Sequence, residues 1–370
     1  MATLAVFLTD ALRKFEAKGE IKPRYYNPGD FFSDVHFFTP ARADVEAHQV
    51  QTLVGRATLT IHSMGKGFPV SGLSGRGRLA RLLRSAKPVV IRAYDPGARG
   101  ALAVVWGRRL GIPVVVSVHC DLDDQRRSER RLVHHLRRPL EAFTLRRADR
   151  VVCVSHHVAH YARRYGSAHV EVIYNRVDTK RFAPAAADRR HPDVKPVVLS
   201  VMRLVAQKAP ECLIHAMQGL DARLVLIGDG ERTAEIEALV DRPALRDRVE
   251  LVPAVPHRDI SRYYASADVF AIASHYEGFC IPVLEAMASG LPVVASDIAV
   301  IREVLGGTGL VVPNRPDCFR EALRRLLDDP ALRAQLSVRA RARAVTLDGA
   351  RMEAAETELY RSLLGGTPSK

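Results

Sequence analysis

Residues 274–296 read SHYEGFCIPVLEAMASGLPVVAS. Pro282 opens VLEAMA, a run of good helix formers, and proline suits the first helical position because the N–H it lacks would find no partner there. Residues 269–273 just before the stretch are apolar, and LPVVAS at its end is apolar again. Short apolar runs separated by a loop and a helix read as parallel strands covered on both faces. The order strand, loop, helix, strand is one βαβ unit. Inside it stand two glutamates, Glu277 and Glu285, in a segment otherwise almost wholly apolar or small. A carboxylate beside a stretch meant for burial needs a partner.

Working outward, the same alternation covers the chain. Apolar, β-branched runs predict strands near 3–8, 58–62, 88–92, 113–118, 150–154 and 170–174. A second series falls near 196–201, 222–227, 249–252, 268–272, 292–295 and 309–312. Runs such as VVIRA, IPVVVSVH, VVCVS and PVVLSV are apolar on both faces, as strands of doubly wound sheets are. Between the two series lies FAPAAADRRHPDVKP (182–196), rich in proline, alanine and charge, which reads as a linker. The expected fold is α/β, with two Rossmann-like doubly wound domains facing across a cleft. The first domain is placed at 1–185 and the second at 186–348. A last helix, about 349–364, has apolar positions 352, 355, 359 and 363 at helical spacing. By its sequence it packs on either domain, including back on the first.

A chain of 370 residues fits two domains better than one. No apolar run is long enough to span a membrane. The start, MATLAVFLTDALRKFEAKGE, reads as a buried strand and lacks the basic lead of a signal peptide. Five cysteines without CxxC spacing fit a reduced, cytoplasmic protein without a zinc site. The net charge of +14 is one-sided. Residues 1–185 hold 31 Lys and Arg against 16 Asp and Glu, and residues 186–370 hold 24 against 25. An arginine-rich composition accounts for the total, whereas the asymmetry points to an anionic partner of the first half.

The opening loop falls at the carboxyl end of a strand, where open α/β sheets bind ligands. Backbone N–H groups around residues 278–281 stand at a positive helix end, which suits a phosphate. A glutamate repels phosphate but accepts hydrogen bonds from hydroxyls. Two glutamates flanking a phosphate site therefore fit a ligand with hydroxyls on both sides of a phosphate, the layout of a nucleotide sugar. Read alone, Glu277 as a loop cap and Glu285 as a first-turn helix acid serve equally well. In MRLVAQK, Arg203 and Lys208 follow a strand end, so they form either a diphosphate clamp or two solvated loop cations. In LIGDGER, Gly228 lets the backbone come close to a ligand, though a lone GxG is weakly specific.

The ordered set MRLVAQK, LIGDGER, SADVFAIASHYEGFCIPVLEAMASGLPVVAS and GLVVPN resembles the C-terminal half of the retaining glycosyltransferases of family 4, which have the GT-B fold. Glu277 and Glu285 stand as that family's Glu-x7-Glu pair. The match is strong over 195–315 and looser through VVCVSHHVAHYARRYG and VIYNRVDTKRFAP. The resemblance implies transfer of a sugar, with retention, from a nucleotide-diphosphate donor in the C-terminal domain to a hydroxyl acceptor. No cofactor and no metal are implied. It assigns Arg203 and Lys208 to the diphosphate and Glu277 to sugar hydroxyls. The amides of Gly278, Phe279, Cys280 and Ile281 would line sugar and phosphate, and Glu285 would hold the ribose. Gly228 and Ala254 fall on the donor side, with 251–254 meeting the nucleobase. On the acceptor side it points to Gly19, His119, Asn175 and Arg176, with His119 near the reacting sugar.

The chain departs from the family in three places. The early glycine-rich loop is replaced by a stretch containing RYYNPGD, Arg176 stands where glycine is usual, and Cys280 replaces another glycine. Two basic amphipathic stretches, 76–87 and 125–150, fit either ordinary helices with arginines in water or a peripheral contact with acidic membrane. A nucleotide-sugar epimerase of the same fold and a basic nucleic-acid-binding protein are the alternative functions. Against nucleic acid, aromatic residues are only 6% and no stacking platform is evident.

Overall fold

A computed structural model describes residues 2–17, 21–65, 67–68, 72–75, 77–129, 135–184 and 195–365. It contains two compact units, Met1–Tyr174 with Met352–Lys370, and Asn175–Arg351. The sequence boundary at 185/186 and most of the linker lie outside the described residues, as does Gly19.

The first unit holds β1 (Thr3–Phe7), β2 (Asp34–Thr39), β3 (Thr58–Ser63), β4 (Val90–Ala93), β5 (Val114–Val118), β6 (Arg150–Cys153) and β7 (Val170–Val172). They pair in the order β3-β2-β1-β4-β5-β6-β7, all parallel. The second unit holds β8 (Val197–Val201), β9 (Arg223–Ile227), β10 (Val249–Val252), β11 (Val269–Ile272), β12 (Val293–Ser296) and β13 (Leu310–Val312). Their order is β10-β9-β8-β11-β12-β13, again all parallel. Central strands such as VVVSV and VFAI are buried at every position, as strands covered on both faces must be. Strand order reverses between β1 and β4 and between β8 and β11, and loops beyond the carboxyl ends at such a reversal form a crevice.

The apolar runs land on strands as expected, and β2 is an additional one. DVHFFT carries Asp34, His36 and Thr39 among its apolar residues, so it lacks the continuous run that marks its neighbours. His36 Nδ1 meets His62 Nε2 of β3 at 2.9 Å, so a polar pair fills part of this end of the sheet.

The RYYNPGD stretch is structural. Asn27 is buried; its amide donates to the carbonyls of Phe32 (3.0 Å) and Val54 (2.9 Å), and its Oδ1 accepts from Phe32 N (2.9 Å). Tyr26 and Phe32 then enter the core. The last helix, Gly349–Gly365, lays Leu359 and Tyr360 into that same core, where the Tyr360 ring meets Phe32 edge-on at 4.9 Å. Glu353 accepts from Gly29 N at 2.8 Å.

In the stretch 76–87, the helix Arg78–Ala86 buries Leu79 and Leu83 and leaves Arg81 and Arg84 exposed, as an ordinary amphipathic helix does. The stretch 125–150 is less simple. Arg126 is buried and bonded to Glu141, which also accepts from Tyr161 at 2.7 Å, so part of this basic run is spent inside the unit.

Leu359→Ala is expected to cost about 2–5 kcal/mol, the usual range for a truncated core leucine. Chemical denaturation monitored in the first unit reads this directly; an unchanged midpoint would place the helix outside that core.

Candidate active site

The loops after β8 and β11 sit side by side because those strands are neighbours at the reversal of order. After β8 the chain runs through Met202 and Leu204, which bond across to Ile227 O (3.0 Å) and Asp229 O (2.7 Å). A Cβ on Gly228 would lie 1.8 Å from Met202 O, and one on Gly230 2.3 Å from Leu204 O. The glycines of GDG thus admit backbone against backbone, where the sequence suggested close approach to a ligand. The chain then turns through Ala206–Lys208.

The loop after β11 is stitched to this turn. His275 N donates to Gln207 O (2.8 Å), the Gln207 amide donates to Tyr276 O (2.7 Å), and Ser274 N donates to Ser296 Oγ (2.8 Å). The result is a buried polar group: Lys208 Nζ donates to Glu277 Oε1, and Ser274 Oγ donates to the same oxygen at 2.7 Å. Lys208 is 9% exposed and Glu277 7%. Arg203 is exposed and reaches the group only through Gln207 Oε1, at 3.4 Å. The expected pair of clamp cations is therefore one buried ammonium, paired with a carboxylate, and one surface guanidinium.

Gly278 and Phe279 lead to Cys280, which has a left-handed backbone (φ 66°) at the start of the helix Ile281–Ala288. Burial, reinforced by the charge of Glu277, pushes the Cys280 thiol well up, so it stays protonated. In the first turn Pro282 has no N–H and Val283 N donates to Cys280 O at 3.1 Å, which leaves the Ile281 N–H without an intrahelical acceptor.

Glu285, on the same helix, anchors a separate network. Oε1 meets His257 Nε2 at 2.8 Å, and Oε2 accepts from Tyr264 OH at 3.0 Å. Arg181 Nη1 stands 3.2 Å from His257 Nδ1, and since arginine only donates, His257 carries its proton on Nε2 and donates to Glu285. Ala254 is exposed in the loop leading to His257. Sequence reading missed Gln207, His257, Tyr264 and Arg181, whose partners come from distant segments, and Ser274, whose contact with Glu277 three residues on follows from how the loop folds and has no signature spacing.

In the first unit His119 follows β5 and stacks on Tyr94 (5.7 Å, 16°). Its Nε2 is shielded from solvent and has no hydrogen-bond partner among the described residues. Burial, and then the nearby charge of Arg92, lowers its pKa to about 4, so the ring is neutral at neutral pH. Asn175 and Arg176 open the second unit, half-buried, beside Val177, whose carbonyl accepts from Gly349 N at 2.8 Å. Asp121, Asp124 and His157 bring three donor atoms within 4.8 Å of one another. Arg164 donates to Asp121 (2.8 Å), His157 meets Asp124 (2.6 Å) and Arg127 pairs with Asp124, so the group is a salt-bridge cluster.

Two family patterns match this chain: Glycosyltransferase Family 4 over residues 33–181 and Glycosyl transferases group 1 over residues 184–343. The chain belongs to the family 4-like glycosyltransferases of the GT-B fold. The alpha-D-kanosaminyltransferase of Streptomyces kanamyceticus is 27% identical over 307 residues, which cover 73% of this chain and 78% of that one. A GDP-mannose-dependent alpha-mannosyltransferase of Mycobacterium tuberculosis is 31% identical over 256 residues, covering 64% of this chain and 63% of that one. A sucrose-phosphate synthase from Thermosynechococcus elongatus superposes with a TM-score of 0.81 at 23% identity, over 99% of this chain and 100% of that one, which shows the shared fold.

Removing one partner of a buried ion pair leaves the other uncompensated, at about 3–5 kcal/mol. Lys208→Met should therefore destabilise the second unit by that amount, and Lys208→Met with Glu277→Gln by distinctly less. Equal losses in a denaturation series would show that the two groups are not coupled.

Proposed function

We propose that this chain is a retaining glycosyltransferase that moves a sugar from a nucleotide-diphosphate donor to a hydroxyl acceptor. The observation that carries this reading is the buried Lys208–Glu277–Ser274 group beside the start of the helix Ile281–Ala288. An ammonium there meets the charge that grows on the departing phosphate, and the Ile281 N–H at the helix start adds to it. Arg203, exposed at the mouth of the same loop, supplies a second cation. Glu277 accepts from donor-sugar hydroxyls, and the amides from Gly278 to Ile281 line sugar and phosphate. Glu285 takes the ribose hydroxyls by sharing oxygens now bonded to His257 and Tyr264.

Retention follows if the acceptor attacks the face the phosphate leaves. The new C–O bond forms as the C–O bond to phosphate breaks, and the acceptor proton passes to the departing phosphate oxygen. The charge stabilisation needed is assigned to Lys208, Arg203 and the helix start, so neither a metal nor a cofactor enters the proposal. The names of the relatives, an aminosugar transferase and a GDP-mannose-dependent enzyme, support a nucleotide-sugar donor while leaving base and sugar open. Family membership favours transfer over the epimerase and nucleic-acid alternatives.

The acceptor is assigned to the first unit, with His119 at its centre, and proposed to be anionic or to lie at an anionic surface. The charge surplus of residues 1–185 supports this, as do Leu136 (80% exposed) and Leu140 (37% exposed) next to Arg137 and Arg138. Among the described residues no helix is long and apolar enough to cross a membrane.

Thermal unfolding with UDP, GDP, ADP and dTDP tests the donor site. One nucleotide should raise the melting point, corresponding to about 2.7 kcal/mol at 100 times its dissociation constant. Glu285→Ala should abolish the shift and Arg203→Ala should reduce it, and Glu277→Ala, which leaves the Lys208 ammonium unpaired and lowers stability by about 3–5 kcal/mol, should slow transfer by the folded protein by about 10²-fold. Absence of a shift with every nucleotide would sink the donor site, and an inverted anomeric product by NMR would sink retention. For the acceptor side, sedimentation with phosphatidylglycerol vesicles should exceed that with phosphatidylcholine at low salt and fall in Leu136→Glu. Equal sedimentation would remove the membrane.

A further inference from the structure

Arg92 lies in β4 with its side chain 4% exposed. An arginine does not lose its proton in a protein, so a full positive charge is buried inside the first unit. It is fully engaged. Ser117 Oγ of β5 accepts from Nε (3.0 Å) and Nη2 (2.8 Å). Glu356 Oε1 and Tyr360 OH, both from the last helix, accept from Nη1. The guanidinium lies 5.0 Å from the centre of the Tyr94 ring, and Tyr94 in turn carries the stacked ring of His119.

A chain of contacts thus runs from Glu356 through Arg92 and Tyr94 to His119. Replacing a buried ion pair with apolar side chains is often neutral for stability, so packing alone gives no reason for this pair to sit under the histidine. Its position gives one. His119 has a shielded, unpartnered Nε2, and an imidazole accepts a hydrogen bond from a hydroxyl only while uncharged. A fixed cation nearby opposes protonation of the ring, and a fixed aromatic face holds its plane.

We propose that Arg92, held by Glu356 and Tyr360, is a positioning residue for His119: it keeps the ring uncharged and in the plane set by Tyr94, ready to accept from a substrate hydroxyl. This rests on the reading of His119 as a substrate contact. The charged and titratable groups around the ring are Arg92 and Tyr94 of β4 and Glu356 and Tyr360 of the last helix, with Tyr25 against Tyr94 (6.1 Å). Burial and Arg92 both lower the His119 pKa, to about 4, while Glu356 opposes them. Removing both charges of the pair therefore lets the ring protonate at higher pH.

The test uses the full chain with labelled histidine, the His119 signal being identified by its loss in His119→Asn. In Arg92→Met with Glu356→Gln, the NMR titration midpoint of His119 should rise above about 4 and stay below the ordinary value of about 6.5, because burial, the larger cause of the low value, remains. The acid limb of kcat should move with it, while KM for the donor stays within about twofold. For a midpoint near 5, activity at pH 5 would fall about twofold, because about half the rings are protonated against about a tenth for a midpoint near 4. Arg92→Lys, which keeps the charge, should keep the low midpoint. Should the apolar pair fail to fold, Arg92→Gln with Glu356→Gln keeps hydrogen bonding without charge and makes the same prediction. A midpoint that stays at about 4 in the neutral pair overturns the inference. Full activity of His119→Asn would instead overturn the reading on which it rests, and the two failures are told apart because the NMR midpoint does not depend on catalysis.

Discussion

A buried ammonium needs an anion beside it, and the second unit meets that requirement with Lys208 and Glu277. Neither residue would be tolerable alone at its depth: desolvation of a single charge in such a place costs several kcal/mol. Each therefore depends on the other, and the pairing holds only if the loops after β8 and β11 run side by side. That adjacency comes from the reversal of strand order between them. The bonds of Gln207 to His275 and Tyr276 join the two loops directly, while the GDG turn backs the first against β9 and the Ser274–Ser296 bond ties the second to β12. In the proposed function, the same pair exchanges its mutual bond for a ligand with phosphate at one end and hydroxyls at the other.

The first unit shows the same logic with a different charge. Arg92 is buried under the carboxyl edge of the sheet, and its partners Glu356 and Tyr360 arrive from the far end of the chain, 264 and 268 residues away. The last helix is part of the core of this unit and also part of the electrostatic setting of His119. The RYYNPGD stretch, which departs from the family pattern, lies against this helix through Gly29 and Glu353 and closes the core with Tyr26 and Phe32.

Much of the fold was readable because β-branched apolar runs separated by helix-like segments have few other solutions. β2 escaped because polar residues interrupt it, and its place beside β1 comes from pairing with neighbours on both sides. Lys208 and Glu277 were both visible as candidate site residues, each with its own assigned ligand. Their contact was not, since it joins positions 69 apart. Gly228 was visible as a glycine that something must approach closely, but that something is the carbonyl of Met202. Glu285 was visible, and its partners His257 and Tyr264 were not, because a histidine and a tyrosine in helical segments of three and six residues leave no periodic trace.

By itself the sequence determined the α/β class, the order of strands and helices apart from β2, the one-sided charge and the loops that carry the candidate site. Each of these depends on local composition and on short-range spacing. Only the tertiary structure decided which charges neutralise one another, where the last helix packs, and that His119 stands over a buried arginine. Those outcomes depend on which strands lie next to each other, and burial then forces every charge so placed to find its partner across the fold.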